Sequence, residues 1–229
     1  MSSSSQSSST SATPRREFIG QLATAAVALA GTACVSPSLA SSQGTPAASP
    51  SSPPRAASKT VFDDSWTQRL TAKHKAVFDS PEIFGGAAIY QAELWASGYK
   101  EMYNLGDADT QAVLVLRHAA VPMVINDAMW SKYEMGKLRK VKDDNGAWAT
   151  ANPYTKSLAD AHQRGTTILG CNLAAMGVAA AIARATKQDV EAVRQEIRGS
   201  LVPGALLMPS GIFALHRAQE AGCTYMRAG

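Results

Sequence analysis

Residues 165–172, GTTILGCN, carry the pattern that decides the fold. Gly165 is the expected stop of a helix at 158–163, and the run from Thr166 to Cys171 has the length of a buried strand. Asn172 then starts a helix rich in small residues. A strand that follows one helix and leads directly into the next predicts a parallel strand in an α/β domain.

Outward from this stretch, apolar runs of strand length alternate with segments of helical period. The run 112–118, which ends at His118, is the clearest strand, because a continuous apolar run is typical of a strand buried on both faces. We therefore predict an α/β fold of three layers, α/β/α, with a mainly parallel five-stranded sheet. The predicted strands are 75–79, 112–118, 166–171, 205–208 and 223–226, and the predicted helices are 86–103, 124–133, 158–163, the helix from Asn172, 186–199 and 211–221.

Two further segments, residues 137–152 and the residues from Thr186 to Asp189, have patterns of their own. Residues 137–152 form a polar excursion, expected to be a hairpin or a loop that contacts another subunit. Thr186 to Asp189 resembles a capping box with Asp in place of Glu, so that a helix is expected to open at Thr186.

The first forty residues have the three parts of a signal peptide. Arg15 and Arg16, followed after one residue by Phe18, resemble the twin-arginine motif, and an Ala/Gly-rich apolar stretch follows. Ser38-Leu39-Ala40 predicts cleavage after Ala40, with an acylated Cys34 as the lipoprotein alternative. We predict a signal peptide at 1–40, a Ser/Pro/Ala-rich disordered tether at 41–58, and one folded domain at 59–229. A periplasmic or otherwise exported location follows, with membrane contact only during export.

The composition excludes several functional classes. The formal net charge of +4 is spread thinly over the chain, which argues against a nucleic-acid partner. The cysteines lack paired spacing, and the histidines have no ligand spacing, so we predict no metal site and no cofactor. The three cysteines are Cys34, Cys171 and Cys223.

Four stretches of the second half resemble the DsrE/DsrF-like family: 165–172, 201–205, 209–212 and 219–225. They match a strand that ends in a cysteine, a Pro-Gly pair before the next strand, and a helix ending in Gly before a short last strand. The resemblance covers about residues 73–229. It implies a flavodoxin-like architecture, a homo-oligomer that is a trimer or hexamer, and a sulfur-accepting cysteine at Cys171.

The candidate site lies where the predicted strands end, because loops and helix N-termini converge there. The N-terminus of the following helix favours a Cys171 thiolate, and His118 is expected to pair with it. Many relatives have a His at this turn, often followed by Gly where this chain has Ala119. Asn172, Ser210 and Gly211 are expected to bind a substrate anion. The alternatives are a buried Cys171 that only packs, a structural His118, and helix caps at Asn172 and Ser210.

Two functions follow from these predictions. In the first, the exported protein is a persulfide carrier or sulfur-relay component, and its partner is a sulfur donor or acceptor protein. In the second, it is a non-catalytic module for a small ligand, a protein partner or oligomerisation. Enzymatic activity, if present, would resemble that of a sulfurtransferase. Hydrolysis ranks last, since no nucleophile, base and orienting group occur together.

Export is expected to depend on the Arg pair, because the receptor of the twin-arginine route reads both side chains. Replacing Arg15 and Arg16 by Lys should leave an uncleaved precursor in the cytoplasm, which cell fractionation measures. The control variant Arg55→Lys, outside the motif, should be exported and cleaved. Normal processing of the double variant would contradict the assignment.

Overall fold

The computed structural model describes residues 62–229. The predicted signal peptide and tether, with Arg15, Arg16 and Phe18, lie outside the described residues. Within 62–229, no helix has both the length and the apolar character needed to cross a membrane.

Strands and helices alternate along the described chain. The predicted strands agree with the observed bounds to within two residues at each end. Short 3-10 helices occupy Ser65–Arg69 and His118–Val124. The strands are β1 (His74–Ser80), β2 (Thr110–Leu116), β3 (Thr167–Cys171), β4 (Ala205–Met208) and β5 (Thr224–Arg227). The α-helices are α1 (Ala87–Tyr103), α2 (Asp127–Lys132), α3 (Met135–Arg139), α4 (Thr155–Gln163), α5 (Asn172–Thr186), α6 (Val190–Arg198) and α7 (Gly211–Glu220).

All five strands are parallel, in the order β4-β3-β2-β1-β5. From β1 to β4 each strand is added beside the previous one, and α1, α4 and α5 in these connections pack on one face. The last connection returns across the sheet to the free edge of β1, and its helix α7 packs on the opposite face. Helices therefore cover both faces, and the three-layer α/β/α prediction is confirmed.

We call the side of the sheet that α7 covers the α7 face. Val77, Val113, Val115 and Leu169 point to it and pack in the smaller of the two apolar clusters. Trp66, from the 3-10 helix before β1, is fully buried in this cluster, and its Nε1–H donates to Met208 Sδ at 3.3 Å. A residue two positions further along the same strand than one of these four residues points to the same face.

The end of β2 differs from the prediction, because the strand stops at Leu116 and His118 lies outside it. Arg117 still has extended backbone, and its N–H donates to Ser80 O. His118 has φ +47°, and the N–H groups of the next two residues both donate to Pro81 O. The apolar run thus continues into a 3-10 turn that the loop after β1 holds in place.

The predicted helix start at Thr186 is wrong, since Thr186 is the last residue of α5. Its Oγ1 donates to Ile182 O within that helix, and Lys187 ends the helix with φ +56°. Helix α6 begins three residues later, with Asp189 as its N-cap accepting from Ala192 N–H at 2.8 Å. The acidic residue of the supposed capping box is therefore itself the cap.

The polar excursion begins in α3 and contains a hairpin-like return. Lys142 and Trp148 form an isolated antiparallel bridge, and the Lys142 ammonium lies over the Trp148 ring. At its base Gly136 is buried against the backbone of Ala149. A Cβ added at Gly136 would lie 2.1 Å from Ala149 O.

Replacing Gly136 by Ala should lower the free energy of unfolding by about 1–3 kcal/mol, the range for overpacking a tight site. The matched control is Gly98→Ala on the exposed side of α1, where an added Cβ meets nothing within 4 Å. That change should raise the free energy of unfolding by up to about 1 kcal/mol, because Ala has the higher helix propensity. Urea unfolding measures both, and equal effects of the two changes would contradict the packing of Gly136.

Candidate functional site

At the carboxyl end of the sheet, the chain leaves the neighbouring strands β3 and β4 in opposite directions. From β3 it enters α5, on the larger apolar cluster, and from β4 it enters α7, on the other face. In parallel α/β sheets, such a switch point forms the ligand crevice. Cys171 ends β3 in register with Met208 of β4, so it lies at this switch point.

Cys171 is the last residue of β3 and the N-cap of α5. Its Sγ accepts a hydrogen bond from Ala174 N–H at 3.4 Å, and the residue is 7% exposed. The capping role suggested for Asn172 is therefore wrong, because the strand enters the helix with no residue between them. The amides and positive end of a helix N-terminus interact favourably with negative charge.

A buried ion pair that the sequence analysis missed lies on the α7 face beside Cys171. Asp79 accepts from Arg117 Nε at 2.6 Å and from Arg117 Nη2 at 2.9 Å. The hydroxyl of Tyr225, on β5, donates to Asp79 Oδ2 at 2.8 Å. The Asp79 side chain is 4% exposed, so its charge depends on these partners.

The strand register places Arg117 next to Cys171. Leu116 of β2 pairs with Gly170 of β3, and Arg117 and Cys171 are the next residues of their strands. Neighbouring strands lie about 4.8 Å apart, and both residues continue the alternation that points to the α7 face. A guanidinium on the neighbouring strand is therefore the cation nearest to Cys171 in the register.

The electrostatics of the cluster follow from its hydrogen bonds. Burial raises the pKa of the Asp79 carboxyl, but hydrogen bonds from Arg117 and Tyr225 outweigh burial, and the pKa lies below its usual range. The hydrogen bond to Asp79 raises the pKa of Arg117, and negative charge on Cys171 adds to the increase. The same carboxylate raises the pKa of the Tyr225 phenol. Asp79 and Arg117 are thus both charged at neutral pH.

The other predicted site residues are only partly brought together. His118 is exposed, and its side chain makes no hydrogen bond to any of residues 62–229, so its role as the partner of Cys171 stays a prediction. Asn172 Oδ1 accepts from Arg198 Nε of α6 at 3.4 Å, which links α5 to α6. Ser210 caps α7, as predicted in the capping alternative, by accepting from Phe213 N–H at 3.1 Å.

Gly211 lies directly against the ion pair. A Cβ at this position would be 2.7 Å from the Cβ of Arg117, so only a glycine lets the start of α7 approach the arginine stem this closely. Anion binding by Gly211, which the sequence predicted, stays a prediction. The sequence signal for the missed pair was a charged residue at the carboxyl end of each of two strands, Asp79 in β1 and Arg117 directly after β2. The carboxyl ends of parallel strands meet at one edge of a sheet.

Cys223 provides an internal comparison for Cys171. Both are free thiols, and Cys223 precedes β5 at the amino end of the sheet. Burial raises the pKa of the Cys223 thiol to about 11. Among residues 62–229, no group of three or more His, Cys, Asp or Glu is placed to hold a metal ion.

Comparisons with known proteins leave the site without an assigned role. No family model matches the sequence, and no curated protein matches it. A solved structure of a protein of unknown function from Methanobacterium thermoautotrophicum is similar over 67% of this chain and 98% of that chain, with 15% sequence identity and a TM-score of 0.38. So distant a likeness carries no information on the site or its chemistry.

Replacing Asp79 by Asn should lower the free energy of unfolding at pH 7 by about 3 kcal/mol, the low end for breaking a buried ion pair. The folded pKa of Asp79 lies below the unfolded value near 3.9, so the stabilisation is complete above the unfolded pKa. It is lost as the pH falls through the folded pKa. The difference between wild type and variant should therefore shrink below about pH 4.

Urea unfolding at several pH values measures this difference. The matched control is Asp160→Asn, which breaks the exposed Lys156–Asp160 pair and should change stability by less than about 1 kcal/mol. A difference between wild type and Asp79→Asn that stays constant from pH 7 to pH 3 would show that the carboxylate charge is not what stabilises the site.

Proposed function

We propose that the protein is an exported, DsrE/DsrF-like sulfur carrier that accepts sulfane sulfur on Cys171 as a persulfide. The observation that supports this most directly is the position of the thiol. Cys171 lies at the switch point of the sheet, with its Sγ on a helix N-terminal amide and a guanidinium on the neighbouring strand. Most free cysteines in cores pack among apolar side chains and lack such polar neighbours.

The chemistry of a carrier requires a thiolate and stabilisation of the anionic product. The thiolate attacks a sulfur of the donor, a new S–S bond forms at Cys171 Sγ, and the donor's S–S bond breaks. Its electron pair leaves with the remaining donor as a thiolate. Because sulfur transfers at the zero oxidation level, no external oxidant or reductant is needed. The Ala174 amide and Arg117 stabilise negative charge before and after the step.

The export route and the partners belong to the same proposal. The twin-arginine pair of Arg15 and Arg16 supports a periplasmic location, where a donor or acceptor protein would meet the folded domain. Leu173 and Ile212, in the first turns of α5 and α7, are exposed apolar side chains next to the crevice. Exposed apolar residues beside a reactive group are suited to a protein partner or to another subunit of a homo-oligomer.

A second candidate function, a binding or oligomerisation module, is favoured by the low exposure of Cys171. At 7% exposure the thiol fills space at the end of β3, and its hydrogen bond to Ala174 is also adequate as a helix cap. In this case the crevice holds a ligand or partner segment without covalent chemistry. Reactivity of Cys171 in the native protein separates the two functions.

Incubating the folded protein of residues 41–229 with polysulfide should add about 32 Da per sulfur atom to Cys171, and reductant should remove the addition. Intact-mass spectrometry and peptide mapping measure the change and its position. Cys223 should remain unmodified, because its raised pKa leaves little thiolate at neutral pH. Cys223→Ser is the matched control and should retain the whole addition, whereas Cys171→Ser should lose it.

The contrary result is equally specific. If neither polysulfide nor iodoacetamide modifies Cys171 until the protein is unfolded, the thiol only packs and the sulfur-carrier proposal fails. The binding module then becomes the better account. If His118→Ala also leaves the rate of persulfide formation unchanged, the predicted pairing of His118 with Cys171 is wrong.

A further inference from the structure

Arg117 has one edge of its guanidinium committed to the protein and another that is free. Its Nε and Nη2 donate to the two oxygens of Asp79 in a bidentate pair. Among residues 62–229, its Nη1 donates to no acceptor. The guanidinium has donors on both edges, so it can hold Asp79 and a second anion at the same time.

Asp79 and Tyr225 fix the direction of that free edge. A bidentate carboxylate sets both the position and the plane of a guanidinium. Tyr225 donates to the same carboxylate oxygen that accepts from Arg117 Nη2, which restrains Asp79 in turn. Gly211 lies against the arginine stem, so the start of α7 closes one side. Arg117 is therefore held in one orientation rather than free to follow solvent.

The local charge is positive before any ligand is bound. Arg227 of β5 pairs in register with Asp79, and its charge also contributes to the lowered pKa of that carboxyl. Arg117 is thus bonded to the carboxylate, and Arg227 adds a second positive charge on the neighbouring strand. When Cys171 is a thiolate, it repels a negatively charged reagent, and the unshared charge of Arg117 offsets that repulsion.

We propose that Arg117 is the residue that selects small anionic reagents for Cys171, with Asp79 and Tyr225 as positioning residues. Given the proposed sulfur-carrier function, on which the identity of the donor rests, the donor class is a small inorganic polysulfide anion. A neutral organic trisulfide lacks the charge that Arg117 binds.

The transfer step balances without any other reactant. The Cys171 thiolate attacks the terminal sulfur of the polysulfide dianion, and the Sγ–S bond forms as the adjacent S–S bond breaks. The electron pair of the broken bond leaves with the shortened polysulfide dianion. A cysteine persulfide anion remains on the protein, so the total charge is the same before and after the step.

Charge selection can be tested without sulfur transfer. Iodoacetate and iodoacetamide alkylate thiolates by the same displacement and are close in size, but only iodoacetate is negatively charged. The measured quantity is the ratio of their rate constants at Cys171 in the folded Cys223→Ser protein, divided by the same ratio after unfolding in urea. We expect this normalised ratio to exceed unity.

The variants then assign the preference to Arg117. Arg117→Met should lower the ratio about tenfold. Arg117→Lys should lower it less, since the positive charge remains but the bidentate geometry of the guanidinium is lost. Tyr225→Phe should lower it about twofold, because Asp79 and hence Arg117 are positioned less firmly. If Arg117→Met fails to fold because Asp79 is left unpaired, the double variant Asp79→Asn with Arg117→Met removes both charges and should show the same loss.

The outcomes separate this proposal from the function on which it builds. A ratio unchanged by every Arg117 variant overturns anion selection, even if polysulfide still modifies Cys171. A ratio that falls as expected, in a protein that polysulfide does not modify, supports anion selection and overturns the sulfur carrier. Native Cys171 that reacts with neither alkylating reagent overturns both.

Discussion

The pairing of β5 with the free edge of β1 is the constraint on which the rest of the structure depends. Four strands extend the sheet in one direction, so the chain must cross the whole sheet to reach that edge. A crossover in the reverse direction packs its helix on the opposite face when crossovers keep one hand. Helix α7 therefore lies on the opposite face from α5, and the switch point between β3 and β4 is a consequence of the topology.

The same topology leaves the α7 face covered by a single α-helix, so polar side chains cover part of it. One helix and the buried Trp66 cover its apolar centre, whereas α1, α4 and α5 pack against the other face and α6 packs on α5. Asp79 and Arg117 lie beyond this apolar centre, at the carboxyl ends of their strands. There Gly211, the first residue of α7, lies against the Arg117 side chain. The bidentate pair satisfies two charges that would be costly to bury alone. Stability and the chemistry of the site therefore depend on the same contacts.

Cys171 is at the meeting point of these two features. At the switch point β3 runs directly into helix α5, and the guanidinium of the ion pair comes from the next strand. Burial limits access to the sulfur, while the Ala174 amide donates to it and the Arg117 guanidinium lies on the next strand. The balance between access and activation distinguishes a sulfur carrier from a packing cysteine, and both depend on the first turns of α5 and α7.

The alternation of apolar runs and helical segments determined the α/β class, the five strands and the strand-end position of Cys171, because these follow from local periodicity and burial. Ser210 was predictable for the same reason, since a cap is a local hydrogen bond. The sequence could not predict that Arg117, rather than His118, continues β2 on the side of Cys171. That depends on which N–H groups after the strand donate to Pro81 O, and these are those of Ala119 and Ala120.

Only the tertiary structure decided the neighbours of the thiol. Asp79, Arg117, Cys171 and Tyr225 come from four strands that are far apart in the chain, and strand order and register alone bring them to one face. A register shift of one residue would turn each side chain to the other face. The physical reason is that side-chain periodicity is encoded locally, whereas pairing between parallel strands is fixed by the packing of the helices that connect them.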